Sequence, residues 1–455
     1  MAMNVYLETY GCQMNAYDSE LVRSILQSGG YNLIPSSEGA DVVLMNTCAI
    51  RENAHRKVYS RLDQFRPIKK RMKKEGRPFI VGVLGCMAQN LKEDLFAHPV
   101  VNLIVGPDNY RALPSLIHEA VRNGGPGNRQ MEAYLSEYET YDDIAPTRLS
   151  GVNAWVAVMR GCDNFCTFCV VPYTRGRERS RSLSGVVAEV EALAEAGYPQ
   201  VTLLGQNVNS YHDGDCSFAD LMLAVADIPG IKRVRFTSPH PKDFPQPLLE
   251  VIAGHPHICK HIHLPLQSGS DRILDMMART YTQDEYLGLV DKIRSCIPDV
   301  ALSTDVIVGF PTETEQDFQQ TLRVMVAVGF GSAYTFKYSE RKGTIASKKY
   351  PDDVPAEVKT DRMMRLVEVQ HQMALSKNQG RIGKRFSVLI DGDAKRPPGN
   401  PMGHQIGHQI GHQIGKTDGH TTVVFPKTDH APGEFVWVEV TGANQSTLHG
   451  MAVDV

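Results

Sequence analysis

Six of the nine cysteines in this 455-residue chain are spaced as ligands. In the run RGCDNFCTFCVVPYTRGRERSR, Cys162, Cys166 and Cys169 form a C-x3-C-x2-C loop directly after a predicted strand, Ala154 to Arg160. Three thiolates so close can hold three irons of a four-iron cluster, leaving the fourth iron open as a binding site. Zinc would want a fourth Cys or His to close its tetrahedron, and none lies between Arg160 and Arg181.

A second set is distant in sequence but shares a position in the fold. Cys12, Cys48 and Cys86 each follow a predicted strand, ending at Tyr10, Thr47 and Gly85. In a parallel sheet those strand ends lie along one edge, where such folds bind ligands. The three thiols could converge there on a second cluster, also one protein ligand short; buried cysteines acting as small hydrophobes are the alternative. Cys216, Cys259 and Cys296 fit no such spacing and read as structural. The sparse, odd number of cysteines argues for reduced thiols rather than a disulfide scaffold.

The elements that must position these residues fall into three regions. Residues 1–125 alternate buried apolar runs (Asn4 to Tyr10, Asp41 to Thr47, Phe79 to Gly85, Val101 to Gly106) with helical stretches, the layout of a parallel-sheet α/β domain. Residues 126–148, within a stretch rich in Gly, Pro and acids, read as a linker with an edge element. Residues 149–380 carry six further strand candidates, Ala154 to Arg160, Gln200 to Gly205, Arg233 to Thr237, His261 to Leu266, Leu302 to Val308 and Ala333 to Tyr338, with helices between them. This suggests a full or partial βα barrel with its chemistry at the C-terminal strand ends. After a charged helix from Ala356 to Gln379, residues 381–455 show the short β-type runs Arg385 to Ile390, Thr421 to Phe425 and Glu434 to Thr441, which suit a small all-β barrel. The fold class is therefore multidomain α/β.

Formal net charge is −3, from 48 Lys+Arg against 51 Asp+Glu, so a nucleic-acid partner is sought in the distribution of charge. Between Arg51 and Arg77 there are eleven Lys/Arg against three acids, a basic face or merely a soluble helix. The repeat GHQIGHQIGHQIG, Gly403 to Gly415, would put His404, His408 and His412 on one side of a helix, but its glycines oppose a helix, and it reads as an exposed loop. The start shows no leader and no segment reaches eighteen uninterrupted apolar residues, so the expected location is the cytoplasm, with no membrane partner.

At TYGCQMNAYDSE, NTCAIRENA, GCMAQ, GCDNFCTFCVVPYTRGRERSR, STDVIVGFPTET and YSERKGTIA the chain resembles the methylthiotransferase family of radical S-adenosylmethionine enzymes, over nearly its whole length. The resemblance implies an N-terminal methylthiotransferase domain, a radical S-adenosylmethionine core and a C-terminal TRAM barrel. The GHQI repeat departs from the pattern within TRAM. The wording around GCQMN and NFCTFCVVPYTRGRERSR is similar to the branch acting on isopentenylated adenosine beside the tRNA anticodon.

That resemblance implies two 4Fe-4S clusters, one on Cys162, Cys166 and Cys169 that binds and cleaves S-adenosylmethionine, and one on Cys12, Cys48 and Cys86 that donates the methylthio group after a second S-adenosylmethionine has methylated a sulfur. A radical route is a reasonable requirement, because no side-chain acid or base removes the C–H at carbon 2 of adenine. Strand-end polar residues are candidates for holding the cofactor: Gln206, Asn207, Ser238, Gln267, Ser268, Ser303 and Asp305. Arg175, Arg177, Arg179 and Arg181 would suit the phosphates of the anticodon arm. The implied partners are a tRNA anticodon stem-loop carrying isopentenylated adenosine and an electron donor of the flavodoxin or ferredoxin type, with the enzyme a monomer. Rival acceptors are threonylcarbamoyladenosine and a ribosomal protein. A rival of another class is a non-catalytic RNA-binding protein whose clusters only stabilise its fold.

Overall fold

The computed structural model describes residues 3–49, 52–122, 129–148, 151–394 and 411–454. Its first layer is a six-stranded, wholly parallel sheet in the order Asn32–Leu33, Asn4–Tyr10, Val42–Thr47, Ile80–Gly85, Leu103–Val105, Gln130–Glu132. The two central strands are buried at every residue, as strands covered on both faces must be. Along Val42–Thr47, Val42 and Leu44 pack with Tyr17 and Leu21 on one face, while Val43 and Met45 pack with Leu62 and Phe65 on the other. The edge element expected in the linker is Gln130–Glu132, which extends this sheet beside Leu103–Val105.

The second region holds parallel strands Asn153–Ala157, Gln200–Leu204 and Arg233–Phe236 in one ladder and His261–His263, Ala301–Val308 and Ser332–Lys337 in another. A bridge between Val234 and Ile258 links the two halves. No ladder joins the first strand to the last among the described residues, so the barrel is partial. Helices follow the strands, and local chemistry starts several of them. Ser217, Thr282 and Thr314 each accept an N–H from the third residue of their helix, while Asp220, Glu285 and Asp317 reach back to close capping boxes. One hydrophobic core runs through both halves, from Val156 and Leu203 to Ile262 and Val306.

The helix Ala356–Gln379 leads to a closed five-stranded barrel in the order Arg385–Asp393, His412–Thr417, Thr422–Pro426, Thr447–Val453, Phe435–Ala443. Here one expectation is corrected. The last copy of the GHQI repeat is a barrel strand rather than an exposed loop, because Gln413 is buried with its amide satisfied by the His430 carbonyl and the Thr428 N–H. At Gly415 a Cβ would collide with the Leu389 carbonyl, so only glycine permits this pairing. Residues 403–410 of the repeat, Arg51 and residues 123–128 and 149–150 around the linker lie outside the described residues. The barrel is fastened to the central region by two arginines of one strand. Arg233 donates to the carbonyls of Lys416 (2.6 Å) and Ser387 (2.8 Å), and Arg235 to those of Asp418 (2.8 Å) and Thr417 (2.7 Å).

Candidate functional site

The register of the first sheet sets three cysteines side by side. Tyr10 pairs with Thr47 and Thr47 with Gly85, so the residues that follow leave the sheet at one level. Cys48 N–H donates to the Tyr10 carbonyl at 2.9 Å, Cys12 caps the helix Gln13–Ser28, and Cys86 opens the helix Cys86–Leu91. Glycine makes the approach possible at both neighbouring turns. A Cβ on Gly11 would strike Asn15 and press on Cys48, and one on Gly85, whose φ is +84°, would strike Asn46. A hydrogen bond with Cys48 draws the Cys12 thiol down to about 6, whereas burial pushes Cys86 up against the pull of Arg175.

The other three cysteines lie in the loop between Met159–Arg160 and the helix Val171–Arg175. Gly161, at φ +80°, passes so close to the Arg177 carbonyl that a side chain is excluded. Thr167 ties the loop's middle to Met277 and Ala346 through its backbone, at 2.9 and 2.7 Å. Burial pushes the Cys162 and Cys169 thiols up to about 11 and about 12. A metal would therefore displace protons from both on binding. Buried Arg279 donates to the Cys166 sulfur at 3.3 Å and to the Tyr281 hydroxyl at 3.0 Å.

Both triplets open onto one cavity of about 2070 Å³, and Cys216, Cys259 and Cys296 do not line it. No two of the nine cysteines are joined in a disulfide. Among the described residues no three Cys, His, Asp or Glu side chains are gathered closely enough to hold a single metal ion, so neither triplet has the closed geometry of structural zinc. The donor set fits iron-sulfur clusters: three soft ligands per site, and a buried guanidinium on one sulfur of each to balance thiolate charge.

Of the polar residues expected to hold the cofactor, Gln206, Ser238, Gln267, Ser303 and Asp305 line the cavity. Gln206 accepts the Gly161 N–H at 2.6 Å, which ties it to the cysteine loop. Ser303 stands between His261 (3.1 Å) and His263 (3.0 Å), and His263 Nε2 is 3.4 Å from Asp305. Ser238 and Gln267 take left-handed backbone angles, φ +61° and +65°, at their strand ends. Asn207 and Ser268 are not on the cavity wall. Asn207 donates to Glu178 and Asp243, and Ser268 is buried against Thr321 and the Ser270 N–H. Sequence reasoning missed Arg279, His240, His261, His263, Arg235, Tyr334 and Phe336, all of which line the cavity. Alternation in HIH and YTF puts His261 with His263, and Tyr334 with Phe336, on one side of a strand, a signal that was legible. Nothing local marks Arg279.

The arginines after the cysteine loop require a correction. Arg175, Arg179 and Arg181 are buried and cannot meet phosphates, because each is committed to carboxylates of the first layer or the segment that follows it. Arg175 pairs with Asp18 at 2.6 Å, Arg179 with Asp108 at 3.1 Å and Arg181 with Asp142 at 2.6 Å. Arg160 joins Asp18 from the other side at 2.8 Å. Arg177 alone is exposed, beside Asp163 at 2.6 Å. The basic segment forms the helix Glu52–Lys74, buried along Val58, Leu62, Phe65 and Met72, with Lys70, Lys73 and Lys74 turned to solvent.

Three family models match in order: Uncharacterized protein family UPF0004 at residues 4–106, Radical SAM superfamily at 156–325 and TRAM domain at 381–453. The chain is 46% identical over 455 residues to the tRNA-2-methylthio-N(6)-dimethylallyladenosine synthase of Phocaeicola vulgatus, covering 99% of this chain and 96% of that one. The protein of the same name from Porphyromonas gingivalis is 44% identical over 456 residues, with 99% and 95% covered. Among solved structures, the radical S-adenosylmethionine methyltransferase TsrM from Kitasatospora setae, with cobalamin and a [4Fe-4S] cluster bound, aligns with a TM-score of 0.55 at 14% identity, covering 76% of this chain and 77% of that one. At that identity the likeness speaks for the fold alone.

Proposed function

The chain belongs to the tRNA-2-methylthio-N(6)-dimethylallyladenosine synthases, a branch of the radical S-adenosylmethionine methylthiotransferases, and we propose that it performs their reaction through two cysteine triplets facing one cavity. It is a tRNA-modifying transferase that adds a methylthio group to isopentenylated adenosine. The observation that carries this reading is the shared cavity: Cys162, Cys166 and Cys169 stand on its wall with Cys12, Cys48 and Cys86, so both sets face the space a nucleoside would enter.

When bound, a 4Fe-4S cluster with S-adenosylmethionine supplies the radical that can take hydrogen from an unactivated carbon, and a second cluster supplies the sulfur. We assign the first to Cys162, Cys166 and Cys169 and the second to Cys12, Cys48 and Cys86. Gln206, Ser238, Gln267, Ser303 and Asp305 orient S-adenosylmethionine with hydroxyl, amide and carboxylate groups. Arg279 neutralises charge on the Cys166 sulfur. His261 and His263 hold the Ser303 hydroxyl between them and fix its direction.

The acceptor base must leave the anticodon-loop stack to enter, which costs little for an unpaired nucleotide. Tyr334 and Phe336, 60% and 43% exposed on the last strand of the open barrel, offer apolar wall to its isopentenyl tail. Burying about five apolar carbons at roughly 0.8 kcal/mol each contributes up to about 3 to 4 kcal/mol, less the cost of ordering the tail. Phosphate contacts fall to exposed cations such as Arg177, Lys70, Lys73 and Lys74. A flavodoxin- or ferredoxin-type protein delivers the electron, and the enzyme works as a cytoplasmic monomer beside its tRNA. No helix among the described residues is long and apolar enough to cross a membrane. Nucleoside mass spectrometry of tRNA from cells lacking and then regaining the gene tests this function: the methylthio mark must vanish and return.

A further inference from the structure

We propose that Arg175 is a positioning residue for the cluster on Cys12, Cys48 and Cys86, supplied to that cluster by the neighbouring domain; the inference rests on the two-cluster assignment above. Arg175 ends the helix that begins two residues after Cys169, yet its side chain crosses to the first sheet, where Nε–H donates to the Cys86 sulfur at 3.1 Å. Nη2 donates to Asp18 at 2.6 Å, and Asp18 also holds Arg160 at 2.8 Å, so the guanidinium is clamped from behind. The group is only 3% exposed, lines the cavity, and its Nη1 has no hydrogen-bond partner among the described residues. A buried N–H without a partner is costly. Here one stands beside the thiols where a sulfide, or a sulfur in transit, would accept it.

Three consequences follow from this geometry. A fixed positive charge and an N–H···S bond next to a cluster favour its reduced, more negative state and raise its potential. The same five-residue helix joins this donor to the other cysteine loop, so one short element links the two cysteine sites. Each triplet also has its own guanidinium, Arg175 on Cys86 and Arg279 on Cys166, so the two potentials can be tuned separately.

The test is redox titration, followed by electron paramagnetic resonance, of anaerobically reconstituted full-length protein carrying Arg175→Gln or Arg175→Lys. Placing each in a Cys166→Ala background leaves the N-terminal cluster alone, and a Cys12, Cys48 and Cys86 to Ala background leaves the other alone. Loss of Arg175 keeps the Asp18–Arg160 pair, so Arg175→Gln should fold. The expected result is a more negative midpoint for the N-terminal cluster in Arg175→Gln, a midpoint near wild type in Arg175→Lys, and no change at the other cluster. If Arg175→Gln loads poorly instead, restored iron content in Arg175→Lys supports the same role. Unchanged potentials, or equal loss of iron in both variants, would overturn it. Failure of the two-cluster assignment looks different: the triple Ala variant would then bind as much iron as wild type.

Discussion

Cys48 and Cys86 leave the ends of adjacent strands at one level, because Thr47 pairs with Gly85 in parallel register and each cysteine is the next residue. Strand pairing thus presents two thiols together with no contribution from the central domain. The two triplets should accordingly fail separately. Cys48→Ala should still cleave S-adenosylmethionine and form no methylthiolated nucleoside, while Cys166→Ala should form no deoxyadenosine and retain about half the iron. Paired assays of deoxyadenosine and product check this; methylthiolation by Cys48→Ala at the wild-type rate would refute the sulfur role.

The cysteine loop depends on Gly161, whose missing side chain lets it pass the Arg177 carbonyl at φ +80°. Gly161→Ala should displace Cys162 and lower iron content toward that of Cys166→Ala. Gly288→Ala, where a Cβ meets open space on the helix Gln283–Cys296, should be neutral or slightly stabilising. Iron analysis and denaturant unfolding of both variants decide it.

Asp18 is fully buried between Arg160 and Arg175, whose charges hold its carboxyl below the usual range despite burial. Asp18→Ala leaves two buried guanidinium groups unpaired, a class of change that costs about 3–5 kcal/mol. Urea unfolding should register that loss, whereas Asp163→Ala, at the exposed Arg177 pair, should change stability by less than about 1 kcal/mol.

The gathering of six cysteines in two triplets and the three regions were legible because spacing and strand ends are local signals. So was the edge strand near Gln130. The burial of Arg175, Arg179 and Arg181 was not, since their partners Asp18, Asp108 and Asp142 are far away in sequence and only the packed domains bring them together. A run of arginines beside a cluster looks the same whether it faces phosphate or a neighbouring domain. Arg279 was hidden for the same reason: its partners Cys166 and Pro265 come from elements distant in sequence or turned by the fold. The strand His412–Thr417 was hidden by repetition, because a period of four residues carries no mark of which copy enters the barrel.

Burial, with help from Arg279 and Lys242, lowers the His240 imidazole from 6.5 to about 2, so the folded protein keeps it neutral. Unfolded, it takes up a proton below about pH 6.5, and stability is lost as pH falls from there toward the folded value. Between pH 7 and pH 5 this one group removes roughly 2 kcal/mol. Glu313, pushed by burial to about 7, acts in the opposite sense over the same window, so the comparison must be with a variant. His240→Asn keeps an acceptor for the Lys242 N–H and should lose about 2 kcal/mol less than wild type across that range. Equal acid sensitivity of the two proteins in denaturant unfolding would contradict the assignment.

Substrate choice tests the account most directly, through turnover of three anticodon stem-loops that differ at one adenosine: unmodified, isopentenylated or threonylcarbamoylated. With reconstituted enzyme and chemical reductant, the methylthio product should form efficiently only on the isopentenylated RNA, with kcat/KM lower by around a hundredfold for the unmodified one, as burial of the tail allows. Equal turnover of modified and unmodified RNA, or a preference for the threonylcarbamoylated one, would contradict it.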